Sequence, residues 1–181
     1  MNTYISLLRG INVSGQKKMP MAALKSLYES LGFAHVETYV QSGNVIFDTG
    51  QPDASKLAAL IEAQIERTFG YAVSVLVRDA RDFQRIVHGN PFVNERNADS
   101  GKLYVTFLYA APPETKLNHL IAPNAGADEF RVGDREIFLF CPNGYGRTKL
   151  SNSFFERKLN VSATTRNWKT VNALHTMAVE R

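Results

Sequence analysis

The stretch LLRGINVSGQKKMP, residues 7–20, sets Gly10 and Gly15 ahead of Lys17 and Lys18. Glycine-rich loops followed by lysine hold phosphate: backbone amides cradle it, the lysine reaches it, and a following hydroxyl holds magnesium. The two glycines have the gap of such a loop. Gln16, however, stands where the lysine belongs, and Met19 follows Lys18 where the hydroxyl is required. The spacing therefore argues against a nucleotide-hydrolysing loop. It leaves a looser anion site, with backbone donors near Gly10, Gly15 and Gly43 beside positive side chains.

Two further stretches carry similar chemistry. Residues 141–153, CPNGYGRTKLSNS, place Arg147 and Lys149 on a flexible loop ahead of a helix start. That is either an anion pocket or a solvated loop, the second being the simpler reading. Residues 164–171, TTRNWKTV, read as a helix capped by Thr164 or Thr165, with Trp168 packed and Arg166 and Asn167 in the first turn. Arginine there opposes the helix dipole, which points to a task such as pairing with a carboxylate or a phosphate, a structural ion pair being the simpler version. Other reactive types are scattered. His35, His88, His119 and His175 show no metal-ligand spacing, no nucleophile elbow is present, and Cys141 sits in an apolar strand pattern. Asp48 and Glu37 have no assigned neighbour. The pattern identifies no catalytic residue, and no metal or cofactor is expected.

The elements that would position these residues follow from periodicity. Residues 3–9 read as a strand. Pro20 opens a helix with Leu24, Leu27, Tyr28 and Leu31 on one face, stopped by Gly32. Residues 35–40 and 44–47 are strands joined by the turn 41–43. Asp53 caps a helix carrying Leu57, Leu60, Ile61, Ile65 and Phe69, closed by Gly70, before a strand at 72–77. A short helix over 79–88 turns Phe83, Ile86 and Val87 inward, and the polar 89–101, with Asn90-Pro91, reads as a linker. The pattern then restarts. A strand at 102–109 is followed by a helix from Pro113 with Leu117, Leu120 and Ile121, and by a hairpin of 129–132 with 136–141. Next come a helix capped by Asn152 or by Ser153 with Glu156, a strand at 161–163, and a last helix with Trp168, Val171, Leu174 and Ala178.

The expected fold is therefore α+β, a tandem duplication of two ferredoxin-like (alpha-beta plait, βαββαβ) units. The first spans 1–78, a connecting helix and linker span 79–101, and the second unit with its C-terminal helix spans 102–181. In such a unit the first two strands run parallel, so the end of the first strand and the turn between the second and third share one sheet edge. Arg9, Gly10, Asn12, Lys17, Lys18, Gln41, Ser42 and Asn44 would then form one polar, basic rim. Each sheet would carry its helices on one face and leave the other to be covered by the other half, a second chain or a ligand.

Composition narrows the setting. The chain has 181 residues, 44% hydrophobic and 21% charged, ordinary for a globular protein. No apolar run reaches the length of a membrane span, and the N-terminus reads as a strand without the basic region of a signal peptide. One cysteine excludes an internal disulfide and suits a reducing cytoplasm. The net charge is +4, and residues 141–181 hold 7 Lys and Arg against 2 Asp and Glu. This basic end suits an anionic partner or a solvated face.

The segment LLRGINVSGQKKMPMAALKSLYESLGFAHVETYVQSGNVIF resembles the opening of a widespread bacterial family, domain of unknown function 1697, and TTRNWKTV resembles its second marker. The resemblance implies two ferredoxin-like halves and supplies no catalytic residues, because the family carries no established activity. It covers Arg9, Gly10, Asn12, Gln41, Ser42, Gly43, Asn44, Arg166, Asn167 and Trp168. Ser14 stands where the family's usual loop has glycine, which stiffens the loop. Three functions are then open. One is binding of an anionic ligand, either a phosphorylated small molecule or nucleic acid. The others are an enzyme acting on a small anionic substrate and a homodimeric interaction protein using an open sheet face. Against RNA, the third strand SGNVIFDT lacks the aromatic pattern that stacks bases.

Overall fold

The computed structural model describes residues 1–123 and 126–181. It is a mixed α+β structure with two four-stranded antiparallel sheets and divides into two compact units. The first comprises Met1–Arg85 with Ala173–Arg181, the second Ile86–Asn172.

In the first unit, β1 (Asn2–Leu8), β2 (Ala34–Tyr39), β3 (Asn44–Thr49) and β4 (Val75–Asp79) form a sheet of order β2-β3-β1-β4. Every neighbouring pair is antiparallel. Because β1 and β2 both oppose β3, they run the same way. The end of β1 and the β2–β3 turn therefore meet, and Leu8 N–H donates to Gly43 O at 2.8 Å. Helices α1 (Met21–Ser30) and α2 (Ala54–Phe69) bury Leu24, Leu27, Leu57, Ile61 and Ile65 against Tyr4, Leu8, Val45 and Phe47. Pro20 precedes α1 with its ring's fixed φ of −60°. Asp53 caps α2 by accepting from Ser55 and Lys56 N–H, and Gly70 ends it at φ 75°.

Helix α3 (Ala80–His88) follows β4. Residues 89–101 are more ordered than a linker, because α4 (Pro91–Arg96) lies within them. Asn90 caps α4 by accepting from Phe92 N–H, and Pro91 takes the first position, where its missing N–H costs nothing. The Asn-Pro pair reads as a breaker in sequence and acts as a helix start.

In the second unit, β5 (Leu103–Leu108), β6 (Glu129–Val132), β7 (Glu136–Phe140) and β8 (Ala163–Asn167) take the order β6-β7-β5-β8, again antiparallel throughout. Helices α5 (Glu114–Asn118) and α6 (Asn152–Leu159) cover one face. Phe154, Phe155 and Leu159 pack with Leu108, Ile137, Leu139 and Cys141. Cys141 is buried, and burial raises its thiol to about 11, which suits packing and not nucleophilic attack.

Two local expectations are corrected. Ser151, not Asn152 or Ser153, caps α6 by accepting from Phe154 N–H at 3.2 Å. The last strand is Ala163–Asn167 and not 161–163, and α7 (Trp168–Val179) begins after it, with Asn167 accepting from Thr170 N–H at 2.8 Å. Thr164 and Thr165 are β-branched and extend easily, and Thr165 hydrogen-bonds Thr106 across the strands at 2.8 Å. Neither threonine caps α7. Arg166 consequently lies in a strand, and its supposed opposition to a helix dipole disappears.

The two sheets share one register. Ile5 faces Arg78 as Val105 faces Arg166, and Leu7 faces Asn44 as Phe107 faces Glu136. Asp79 accepts from Asp82 N–H at 2.8 Å just as Asn167 accepts from Thr170. The alternate strand positions are apolar too, with Ile5, Leu7, Ile46 and Leu76 in one unit and Leu103, Val105, Phe107 and Phe138 in the other.

Candidate functional site

The topology assembles the first unit's rim from residues 9–20 and the turn 40–43. Asn12 joins the two segments. Its Nδ2 donates to Gln41 O at 2.8 Å and to Met19 O at 3.0 Å, and its Oδ1 accepts from Met19 N–H at 2.8 Å. Gly43 seals the joint: a Cβ added there would lie 2.7 Å from both Leu8 Cβ and Ile11 Cδ1, and its φ is 80°. Only glycine fits such a position without displacement.

Asn44 is buried and donates from Nδ2 to Tyr39 O at 2.9 Å and Ser42 Oγ at 3.0 Å. Asn12 and Asn44 are thus both engaged in shaping the rim. Lys17 Nζ donates to Ala72 O at 2.7 Å, anchoring the loop beside β4, while Lys18, Gln41 and Ser42 are exposed. Arg9 is half-buried, with its backbone N–H on Ser74 O at 3.0 Å.

The backbone here is strained. Asn12, Ser14 and Lys17 hold φ of 53°, 50° and 45°, and Val40 holds 52°. Asparagine tolerates this region; for a β-branched residue it is a true outlier. Val40 is also 50% exposed, so core burial does not offset its strain. Ser14 adopts a conformation that glycine would take freely. No Asp, Glu, His or Cys occurs in residues 7–20 or 40–44.

A second polar cluster, unforeseen in sequence, lies at the other end of β3. Asp48 Oδ2 accepts from His35 Nδ1 at 2.7 Å, its Oδ1 accepts from Thr3 Oγ1 at 2.8 Å, and Arg181 reaches Asp48 at 3.4 Å and Glu37 at 2.8 Å. Burial pushes the Asp48 carboxyl up, but the bonds from Thr3 and His35 and the Arg181 charge prevail and hold it below the usual range. His35 has φ 48° beside an irregular β2–β3 register. Asp48 lies four positions along β3 from Asn44, about 13 Å of strand, so this cluster and the rim are separate places. Periodicity could not find it, because Thr3, His35, Asp48 and Arg181 meet only through the sheet register and the returning C-terminal segment.

The remaining expected site residues belong to the second unit. Arg147 and Lys149 are exposed on the loop after β7, Arg147 closing a short 3₁₀ turn. Arg166 is buried and donates to Thr164 Oγ1 at 2.8 Å and Thr165 O at 3.1 Å. Burial lowers its guanidinium to about 10, with Tyr109 pulling the other way. Asn167 is the α7 cap. Among the described residues no group of three His, Cys, Asp or Glu could hold a metal ion, and no helix is long and apolar enough to cross a membrane.

The rim lies wholly inside the span matched by a family model, "Protein of unknown function (DUF1697)", which covers residues 1–138. The chain belongs to this family. The TTRNWKTV stretch falls beyond the matched span. Among solved structures the chain resembles the conserved bacterial protein SP0830 from Streptococcus pneumoniae, with a TM-score of 0.72 and 24% identity over 98% of each chain. That likeness shows a shared fold. The search of curated proteins gives no match.

Proposed function

We propose that the protein binds an anionic ligand, a phosphorylated small molecule, at the rim of its first unit. In this reading each unit is built on a ferredoxin-like βαββαβ plait, the plaits arose by duplication as sequence repeats near 1–78 and 102–181, the last nine residues of the second repeat belonging to the first compact unit, and the protein works in the cytoplasm. The carrying observation is the strained loop pair. Residues in left-handed backbone each cost about 1–3 kcal/mol, and at Asn12, Ser14, Lys17 and Val40 that cost shapes an exposed edge rather than a core. Arg9, Lys17, Lys18, Gln41, Ser42 and the Gly10 backbone supply the positive and donor groups. Asn12 and Asn44 hold the frame.

Nucleic acid is the second reading, served by the same charges and by Arg147 and Lys149. It is less favoured because the only aromatic residue of β3, Phe47, is buried in the first unit's own core, so bases have no aromatic platform on that strand. An enzyme is disfavoured because the rim lacks any residue that could act as a general base near neutral pH. Titration of the full chain with inorganic phosphate, and separately with generic single-stranded RNA, at low ionic strength tests this. Amide resonances of residues 9–18 and 40–44 are expected to move with phosphate, and Lys18→Gln to weaken the response severalfold. Silence of those amides with both probes overturns the reading, and a response to RNA alone selects the nucleic-acid version.

A further inference from the structure

A hollow of about 520 Å³ in the second unit is lined by Thr115, Lys116, His119, Arg157 and Lys158. Its size lies within the range of small-molecule sites, about 300–1,000 Å³. Three permanent cations meet there and no lining residue is acidic. Lys116 lies in the last turn of α5, and Arg157 and Lys158 in the last turn of α6. Each position suits its own helix dipole, but the dipoles do not explain why two helix ends bring their cations to one hollow, where like charges repel. Of the two carboxylates nearest in sequence, Glu114 and Glu156, the second accepts from Ala163 N–H at 2.9 Å. None of the ion pairs found among the described residues includes Lys116, Arg157 or Lys158.

His119 is set in place too. Its Nδ1 lies 2.6 Å from Thr115 O; a carbonyl only accepts, so Nδ1 carries the proton and Nε2 is the ring atom left for a ligand.

We infer that this hollow is a binding site for a small molecule bearing two or more linked phosphates, held by Lys116, Arg157 and Lys158 with His119 at its edge. One phosphate carries about −1.5 to −2 charge near neutral pH, so three cations match two phosphates better than one. Arginine adds a planar fork suited to phosphate oxygens, and the lysines act as point charges. The site uses no residue of the first unit's rim and stands or falls apart from it.

Inorganic pyrophosphate is the probe, titrated into the full chain at low salt and followed by amide resonances. Residues 115–119 and 156–159 are expected to move, and the double variant Arg157→Gln/Lys158→Gln to weaken the response at least tenfold. These side chains are exposed on helix ends, and an unchanged melting temperature confirms that the variant folds. Lys116→Gln alone, on the other helix, is expected to weaken it severalfold. The proposal is overturned if the double variant titrates like the parent or if the moving amides lie elsewhere. It is also overturned if single-stranded RNA displaces pyrophosphate from these amides at a lower phosphate concentration, which would make the surface a polynucleotide track. Because the rim amides are residues 9–18 and 40–44, the two sites succeed or fail in separate parts of one spectrum.

Discussion

The first unit leaves β1 through residues 9–20, with Asn12, Ser14 and Lys17 at positive φ, whereas the second leaves β5 through residues 109–113 and enters α5 directly. Beneath the two loops the sheets coincide. Leu8 N–H donates to Gly43 O at 2.8 Å as Leu108 N–H donates to Arg135 O at 2.9 Å, and Arg9 N–H meets Ser74 O as Tyr109 N–H meets Ser162 O. The glycine that takes the Ile11 side chain in the first unit is matched by an arginine in the second. Where two sheets share one strand order and register and only one has its edge elaborated, the elaboration marks what the sheet's own stability does not require. That is the physical ground for seeking the first unit's function at the rim.

The largest expected effect tests the glycine. Gly43→Ala forces a methyl against Leu8 and Ile11 at φ 80° and is expected to cost about 2–4 kcal/mol, measured from the urea midpoint. A loss below about 0.5 kcal/mol would mean the two rim segments are not held together as described. Next, Asn12→Ala removes three hydrogen bonds and is expected to cost about 2 kcal/mol. Asn12→Gly removes the same bonds but relieves the backbone, so it should cost about 1 kcal/mol less; equal losses would show that strain at this position is negligible.

The smallest effect concerns the other end of the sheet, where the second unit has Phe140 opposite Leu103 and the first has Asp48 opposite Thr3. Asp48 titrates below the usual range when folded. Its contribution is therefore present above the unfolded carboxylate range and is lost as pH falls below about 4. Asp48→Asn should lower stability at pH 7 and flatten the acid limb of a stability–pH curve. An acid limb parallel to the parent's would remove Asp48 from that role.

Much of this was legible in sequence, for identifiable reasons. Leu24, Leu27 and Tyr28, like Leu57, Ile61 and Ile65, have a periodicity that only a helix on an apolar face satisfies, and they are buried as that requires. The meeting of Asn12 with the turn 41–43 follows from strand direction alone. What periodicity misread was short and locally ambiguous. Thr164 and Thr165 have hydroxyls fit for a cap, and cross-strand pairing with Thr106 decided for the strand. Asn90-Pro91 has the composition of a turn and the geometry of a helix start. The role of Asn12 was half legible: its place was foreseen, but asparagine's three polar atoms all turn inward to the backbone. The Asp48 cluster and the α5–α6 hollow were beyond reach, since each joins residues whose only link is tertiary.

Residues 173–181 belong to the first unit, and Arg181 pairs with Glu37 and Asp48. This has a consequence for how the molecule is made. On a ribosome the N-terminal unit emerges early and would ordinarily fold first, yet its last nine residues are synthesised after the entire second unit. Its sheet can form from local and mid-range pairings, but completion waits on contacts more than a hundred residues apart in the chain. Closing so long a loop slows the step that needs it. The first unit therefore begins folding before the second and finishes after it.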